Sequence, residues 1–181
     1  MLIIDGHLDL AMNALYLERD LRMSAHEQRA LEIGKSGSGL GAGTVGFPDM
    51  RAGGIGLCFA TCIARARRNG DGRIDVGTHE AAHAHAMGQL IYYREMERQG
   101  AVRVISDSAA LNAHVAEWNA NPETTPIGLV LSMCIERLGQ FRQAELSASP
   151  SCSPDPLLYG LGHAYPERAE VDQKSLQRLD F

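Results

Sequence analysis

Along the first two-thirds of the chain, short apolar runs alternate with longer stretches of helical spacing. Residues 2–5 (Leu-Ile-Ile-Asp) form a β-branched apolar run closed by Gly6, which predicts a buried strand. Residues 10–20 then place Leu10, Ala14, Leu15 and Leu17 near helical spacing. Ser24 can cap a further helix running to Gly34, with Glu27 as the returning carboxylate of a capping box. Residues 35–43, rich in Gly and Ser, predict a mobile loop. Residues 55–63 (Ile-Gly-Leu-Cys-Phe-Ala-Thr-Cys-Ile) are apolar almost throughout, as in a parallel strand covered on both faces. After a polar loop over residues 65–77, Thr78 opens a long helix to Gln99, with Gly100 as its terminator. Residues 102–105 predict a short strand. Ser106 or Asp107 caps a helix carrying Leu111, Val115 and Trp118, which Asn121-Pro122 stops. Residues 127–133 (Ile-Gly-Leu-Val-Leu-Ser-Met) are again a continuous apolar strand.

Strands alternating with helices, and apolar on both faces, predict a parallel sheet in a βα repeat. An open doubly wound sheet and a closed barrel both satisfy this pattern. No Gly-x-Gly-x-x-Gly follows residues 2–5, which weakens a dinucleotide-binding version. The texture changes after Met133. Residues 137–181 contain Ser147-Ala-Ser-Pro-Ser-Cys-Ser-Pro-Asp-Pro156 and little periodicity, with no strand-like run longer than 157–159. The expected division is therefore an α/β part over residues 1–133 and a poorly ordered tail over residues 134–181.

Composition narrows the partners. The chain has 181 residues, 45% hydrophobic and 22% charged, enough for an ordinary core. A net charge of −5 without a basic block argues against nucleic acid, which requires clustered Lys and Arg; Arg65, Arg67 and Arg68 read as a solvated loop. No apolar run approaches the ~18 residues of a membrane helix. The first residues lack a signal peptide's basic and apolar regions, so a cytoplasmic location is the default expectation. Cys58, Cys62, Cys134 and Cys152 form no C-x-x-C pair and read as buried thiols. Cys58 and Cys62, four apart on a strand, share a face but lie too far apart for a disulfide.

Two short patterns could carry chemistry. In His7-Leu-Asp9, residues i and i+2 of a strand point to one face. An imidazole and a carboxylate would then converge at a strand's C-terminal end, where parallel α/β barrels place their sites. Such a pair suits zinc and an activated water, or equally the turn after Gly6. His79-Glu80-Ala-Ala-His83 matches H-E-x-x-H, with both imidazoles on one helical face and Glu80 as general base of a zincin-type protease. Against it, His79 falls in the first turn, the segment is rich in Ala and His, and no third-ligand motif follows. Solvent-facing histidines are the plainer reading. Tyr92, Tyr93 and Met96 read as core packing on the long helix.

Asp5-Gly-His-Leu-Asp-Leu resembles the opening of the renal (membrane) dipeptidase family, the zinc dipeptidases of peptidase family M19. Thr44-Val-Gly-Phe-Pro-Asp-Met-Arg-Ala-Gly-Gly-Ile-Gly-Leu-Cys-Phe-Ala60 resembles that family's lead into its second strand. Gly88-Gln-Leu-Ile-Tyr-Tyr-Arg94 resembles the helix that follows, and the run over residues 127–133 the strand before a metal-bridging glutamate. The similarity covers about residues 1–133. It implies a partial (β/α)8 TIM-type barrel of the metal-dependent hydrolase kind, holding its first three or four βα units, with an irregular C-terminal tail. It further implies a binuclear zinc site that hydrolyses dipeptides, with His7 and Asp9 as first-strand metal ligands. Where the family places its bridging Glu after Met133, this chain has Cys134, and Glu136 comes two residues late. The family's later ligands belong to the second half of a barrel that takes ~250 residues. The expectation is therefore a truncated or frameshifted metallodipeptidase, possessing at most part of a zinc site, whose open strand edges favour self-association. A non-catalytic α/β domain that binds a partner along such an edge is the remaining alternative.

Overall fold

The computed structural model describes residues 1–66 and 74–134. The expected tail over residues 134–181 lies outside them apart from the backbone of Cys134. In chain order the elements are β1 (Ile3–Leu8), α1 (Leu10–Tyr16), α2 (Ala25–Leu31), α3 (Phe47–Ala52), β2 (Ile55–Ile63), β3 (Arg65–Ala66), β4 (Asp75–Val76), α4 (His79–Arg98), β5 (Val102–Val104), α5 (Ser108–Ala120) and β6 (Ile127–Cys134). This is the mixed α/β class the sequence predicts.

Four strands form one parallel sheet in the order β1-β2-β6-β5, and β3 pairs with β4 in a separate parallel ribbon. A run of consecutive barrel units would place β5 beside β2. Instead β6 lies between them, leaving β5 at an edge. β2 is covered on both faces, as expected of its composition: Leu57 and Cys58 are both buried, as are Ala60, Thr61 and Cys62, and neighbours in a strand point to opposite sides. Helices α1, α3 and α4 pack on it.

β1 departs from expectation. Its run is apolar, yet Ile3 and Ile4 are 42% and 48% exposed, because β1 is an edge strand paired only with β2. Composition reports that a strand is apolar; topology decides how much of it is covered.

The helix ends follow local chemistry. α1 stops at Tyr16, short of the predicted residue 20, because Glu18 adopts a left-handed φ of 54°. That turn sends Arg19 inward. Ser24 and Glu27 form the predicted capping box of α2, which ends at Leu31 before Gly34. Helix α3 is an addition to the predicted elements: its Gly46 N-cap and Pro48 in the first turn are a start signal, hidden inside a segment that otherwise reads as the lead into β2. Thr78 and Asp107 cap α4 and α5, accepting hydrogen bonds from the amides of Ala81 and Ala110. Gly100, at φ 74°, turns the chain after α4.

The Gly/Ser-rich segment expected to be a mobile loop is held at three points. Arg19 and Glu32, both buried, pair through Nε–Oε1 at 2.7 Å and Nη2–Oε2 at 3.1 Å. Arg19 Nη2 also donates to Gly39 O at 2.6 Å, Gly41 N donates to Glu32 Oε2 at 2.5 Å, and Arg29 donates to Gly43 O at 2.5 Å. Two buried charges demand this many partners.

On the sheet, α5 approaches closely where β2 and β6 have glycines. A Cβ at Gly56 would stand 2.3 Å from the Trp118 ring, and one at Gly128 2.6 Å from His114 Nε2. His114 Nε2 donates to Gly56 O at 2.8 Å, and Arg51 of α3 lies over the Trp118 ring at 5.4 Å.

Gly56→Ala should therefore lower stability by at least ~1–3 kcal/mol through overpacking, read as a lower urea midpoint. The pairing of Glu32 with Arg19 holds the Glu32 carboxyl below its ordinary value. A depressed folded-state value stabilises the fold above the unfolded value of ~4.3, and this contribution is lost as pH falls through the folded value. Across pH 6 to 3, thermal melts should show the native chain losing more stability than Glu32→Gln, with parallel curves above about pH 5.

Candidate functional site

The C-terminal ends of β1, β2 and β6 bring a row of polar side chains together. In β1 the pairing register slips: Asp5 faces Cys58 and Leu8 faces Ala60, so three steps of β1 span two of β2. The extra residue falls at Gly6-His7, a bulge. Asp5 Oδ1 accepts the His7 amide hydrogen at 2.9 Å, so this carboxylate stabilises the bulge. Within Asp5-Gly6-His7-Leu8-Asp9, the first two residues thus shape the backbone and leave His7 and Asp9 for chemistry.

His7 Nε2 lies 3.3 Å from Asp9 Oδ1, with the two side chains 47% and 25% exposed. The sequence predicts their convergence, but by strand alternation. Asp9 in fact lies beyond β1 at the N-cap of α1, with φ −86° and ψ 55°, and the strand-to-helix turn brings the pair together.

An N-cap Asp ordinarily accepts from the first-turn amides. Asp9 makes no such bond. The Ala11 amide, where a cap would act, donates instead to the Tyr93 hydroxyl at 3.1 Å, and that hydroxyl donates to Thr61 O at 2.9 Å. Tyr93 thereby releases Asp9 from capping. Among the described residues, Asp9 Oδ1 is buried and receives no hydrogen bond. Burial lifts the Tyr93 hydroxyl well above its ordinary value, keeping it a neutral donor and acceptor.

Beyond His7 the row continues. His7 Nδ1 lies 3.4 Å from Thr61 Oγ1, and Thr61 Oγ1 lies 2.9 Å from Ser132 Oγ. Thr61 and Ser132 are register partners across β2 and β6. At the end of β2, the Gln89 amide donates to Ile63 O at 2.7 Å and accepts from Ile63 N at 2.9 Å. The Tyr16 hydroxyl meets His85 Nδ1 at 2.8 Å, with the rings stacked.

Cys58 and Cys62 are buried, and burial pushes both thiols up to about 12, helped by the charges of Asp5 and Asp9 respectively. They are the inert small hydrophobes the sequence predicts. Tyr93 and Met96 are buried as expected, although the bonding of Tyr93 exceeds a packing role.

The H-E-x-x-H segment opens α4, with His83 partly buried. His79 and Glu80 are exposed in the first turn of α4, and Glu80 is held below its ordinary value by its own amide and by Thr78. Among the described residues, no group of three or more His, Cys, Asp or Glu is placed to hold a metal ion. His7 and Asp9 therefore stand as a pair. No described helix is long and apolar enough to cross a membrane.

Sequence reasoning missed Thr61, Gln89 and Ser132. The available signal was a polar residue in an apolar pattern: Gln89 falls in the buried stripe of Ala82, Ala86, Tyr93 and Met96, and Thr61 within β2.

No family model matches the chain, and no curated protein does. Among solved structures, the chain is similar to the crystal structure of the dipeptidase AC, a metallopeptidase of family M19, with 17% identity and a TM-score of 0.47. The similarity covers 74% of this chain and 35% of that one, so this chain spans about a third of its length.

Tyr93→Phe should cost ~1–3 kcal/mol, since the Ala11 amide and Thr61 carbonyl lose their partner, with a lower thermal midpoint as the readout.

Proposed function

We propose that this chain is part of a metal-dependent hydrolase of the dipeptidase kind, built on a parallel α/β sheet, with His7 and Asp9 as two of its zinc ligands. One observation carries the reading: His7 Nε2 and Asp9 Oδ1 are 3.3 Å apart, and Asp9 Oδ1 is buried without a hydrogen-bond donor among the described residues. Zinc bonds of ~2.0–2.2 Å at a tetrahedral angle separate a nitrogen and an oxygen ligand by about 3.4 Å. The pair fits that spacing with little movement, and a neutral imidazole with a carboxylate is a donor set zinc accepts. The resemblance of Asp5-Gly-His-Leu-Asp-Leu and its companion segments supports the same reading and supplies the substrate class, a dipeptide.

Zinc held there would supply Lewis acidity, polarising a scissile carbonyl and making water nucleophilic near neutral pH. The chain's own residues do the rest. Asp5 and Gly6 set the bulge that presents His7; Tyr93 keeps Asp9 out of the helix cap; the half-exposed His7 leaves the pair open to solvent. Two ligands hold zinc weakly, so the reading requires at least one further ligand from outside the described residues.

Zinc titration of the purified chain against a competing chelator tests the site, with release of free amino acids from a Xaa-Xaa dipeptide as the companion assay. His7→Ala and Asp9→Ala should each weaken zinc binding by tenfold or more, and His79→Ala should leave it unchanged. Equal binding in the native chain and a His7→Ala/Asp9→Ala double variant would sink the proposal.

A further inference from the structure

Helices α1, α2, α4 and α5 each open on a residue whose side chain can cap, and three of them are capped. Ser24, Thr78 and Asp107 have extended ψ values of 155°, 161° and 172°, and each accepts from the third amide of its helix, those of Glu27, Ala81 and Ala110. Asp9 opens α1 at ψ 55° and caps nothing. Tyr93 accounts for the Ala11 amide, the second of α1. It does not account for the third, that of Met12, which is where the other three caps act. Another contact must keep Asp9 out of the extended conformation.

The angle ψ sets where a residue's carbonyl points, and the Asp9 carbonyl is held twice. It accepts the Asn13 amide hydrogen at 3.1 Å and Asn13 Nδ2 at 2.8 Å. At the other end of the Asn13 side chain, Oδ1 accepts from Arg19 Nη1 at 2.5 Å. A guanidinium only donates and a backbone carbonyl only accepts, so both bonds have one possible direction and the Asn13 amide one orientation. Arg19 is itself fixed: its side chain is 6% exposed, paired with a Glu32 side chain that is 4% exposed, and it also donates to Gly39 O.

We propose that Asn13 is a positioning residue for Asp9: by holding the Asp9 carbonyl it keeps that residue from the extended conformation of a cap, and so keeps the carboxylate beside His7, with the buried Arg19–Glu32 pair as its anchor. The role rests on the preceding reading for its purpose, since a carboxylate drawn onto the amides of α1 would leave His7 without its neighbour at 3.3 Å. It also gives the ion pair a task besides holding the Gly/Ser-rich segment. A buried pair is weak evidence for stability in itself; this one sends a hydrogen bond through Asn13 to the backbone of a candidate ligand.

The test uses the full chain freed of metal at about pH 8.5, where imidazoles with the ordinary value of ~6.5 are neutral. The thermal shift caused by Asp9→Ala is measured in two backgrounds. In the native chain it should be zero or upward, because no cap is lost and a buried oxygen without a donor is removed. In Asn13→Ala, where Asp9 is free to cap, Asp9→Ala should lower the midpoint by roughly 2–4 °C. A merely structural Asn13 would lower the midpoint of its own variant without changing the effect of Asp9→Ala. Zinc titration should give an about 2–30-fold weaker Kd for Asn13→Ala, the factor that an Asp cap of about 0.5–2 kcal/mol converts to when it must be broken. Equal Asp9→Ala shifts in the two backgrounds overturn the positioning role, as does a zinc Kd of Asn13→Ala equal to the native value. If Asn13→Ala does not fold, Asn13→Leu, which keeps the bulk of the side chain, decides by the same pair of shifts. The parent reading fails by a different sign, zinc binding that survives the His7→Ala/Asp9→Ala double variant, and the metal-free shifts decide the role of Asn13 even then.

Discussion

A parallel strand without a solvent face must satisfy every side chain and every backbone group from within the protein, and β2 imposes that requirement on its surroundings. Its small residues, Gly56, Cys58, Ala60 and Cys62, let neighbours approach closely, and larger side chains from distant segments fill the space: Trp118, Tyr93, Met96 and Leu10. Its C-terminal backbone is completed by side chains of α4, with Tyr93 on the Thr61 carbonyl and Gln89 on both polar groups of Ile63. The candidate site is a product of this arrangement. The hydroxyl that secures β2 also takes the first-turn amide of α1, which leaves the Asp9 carboxylate without a capping role.

The parts of the fold legible in the sequence are those fixed by neighbours in the chain. Ser24 and Glu27 form their capping box three residues apart, Thr78 and Asp107 cap the helices they precede, and the apolar run over residues 55–63 coincides with β2. What the sequence hid depends on distant partners. The exposure of Ile3 and Ile4 follows from strand order, which no local pattern encodes. The restraint of the Gly-rich segment comes from Arg19, turned inward by a left-handed Glu18 that composition does not announce. Sheet order is equally non-local: β6 pairs with β2 although β5 precedes it in the chain.

The candidate site divides in the same way. His7 and Asp9 were legible as residue types at a suggestive spacing, yet the geometry that joins them is a bulge followed by a helix start, not the alternation of a regular strand. Asp5, the other carboxylate of the motif, is occupied by the His7 amide. Tyr93 reads as one more apolar position in a helical stripe; its hydroxyl acquires a role only because Ala11, 82 residues away, presents an unpaired amide. In the H-E-x-x-H segment, the most recognisable short motif in the chain, His79 and Glu80 lie exposed in the first turn of α4 and His83 is partly buried in the next, with Glu80 engaged by its own helix start.

The placement of β6 between β2 and β5 also sets a clock on synthesis. Ile63 pairs with Cys134, so β2 leaves the ribosome about seventy residues ahead of the strand that completes it. At ~5–20 residues per second, one side of β2 waits several seconds with its backbone groups unpaired. For that interval β1, α1, α3 and, once made, α4 are the cover available to it, and the open edge of β2 stays without a strand partner until β6 arrives.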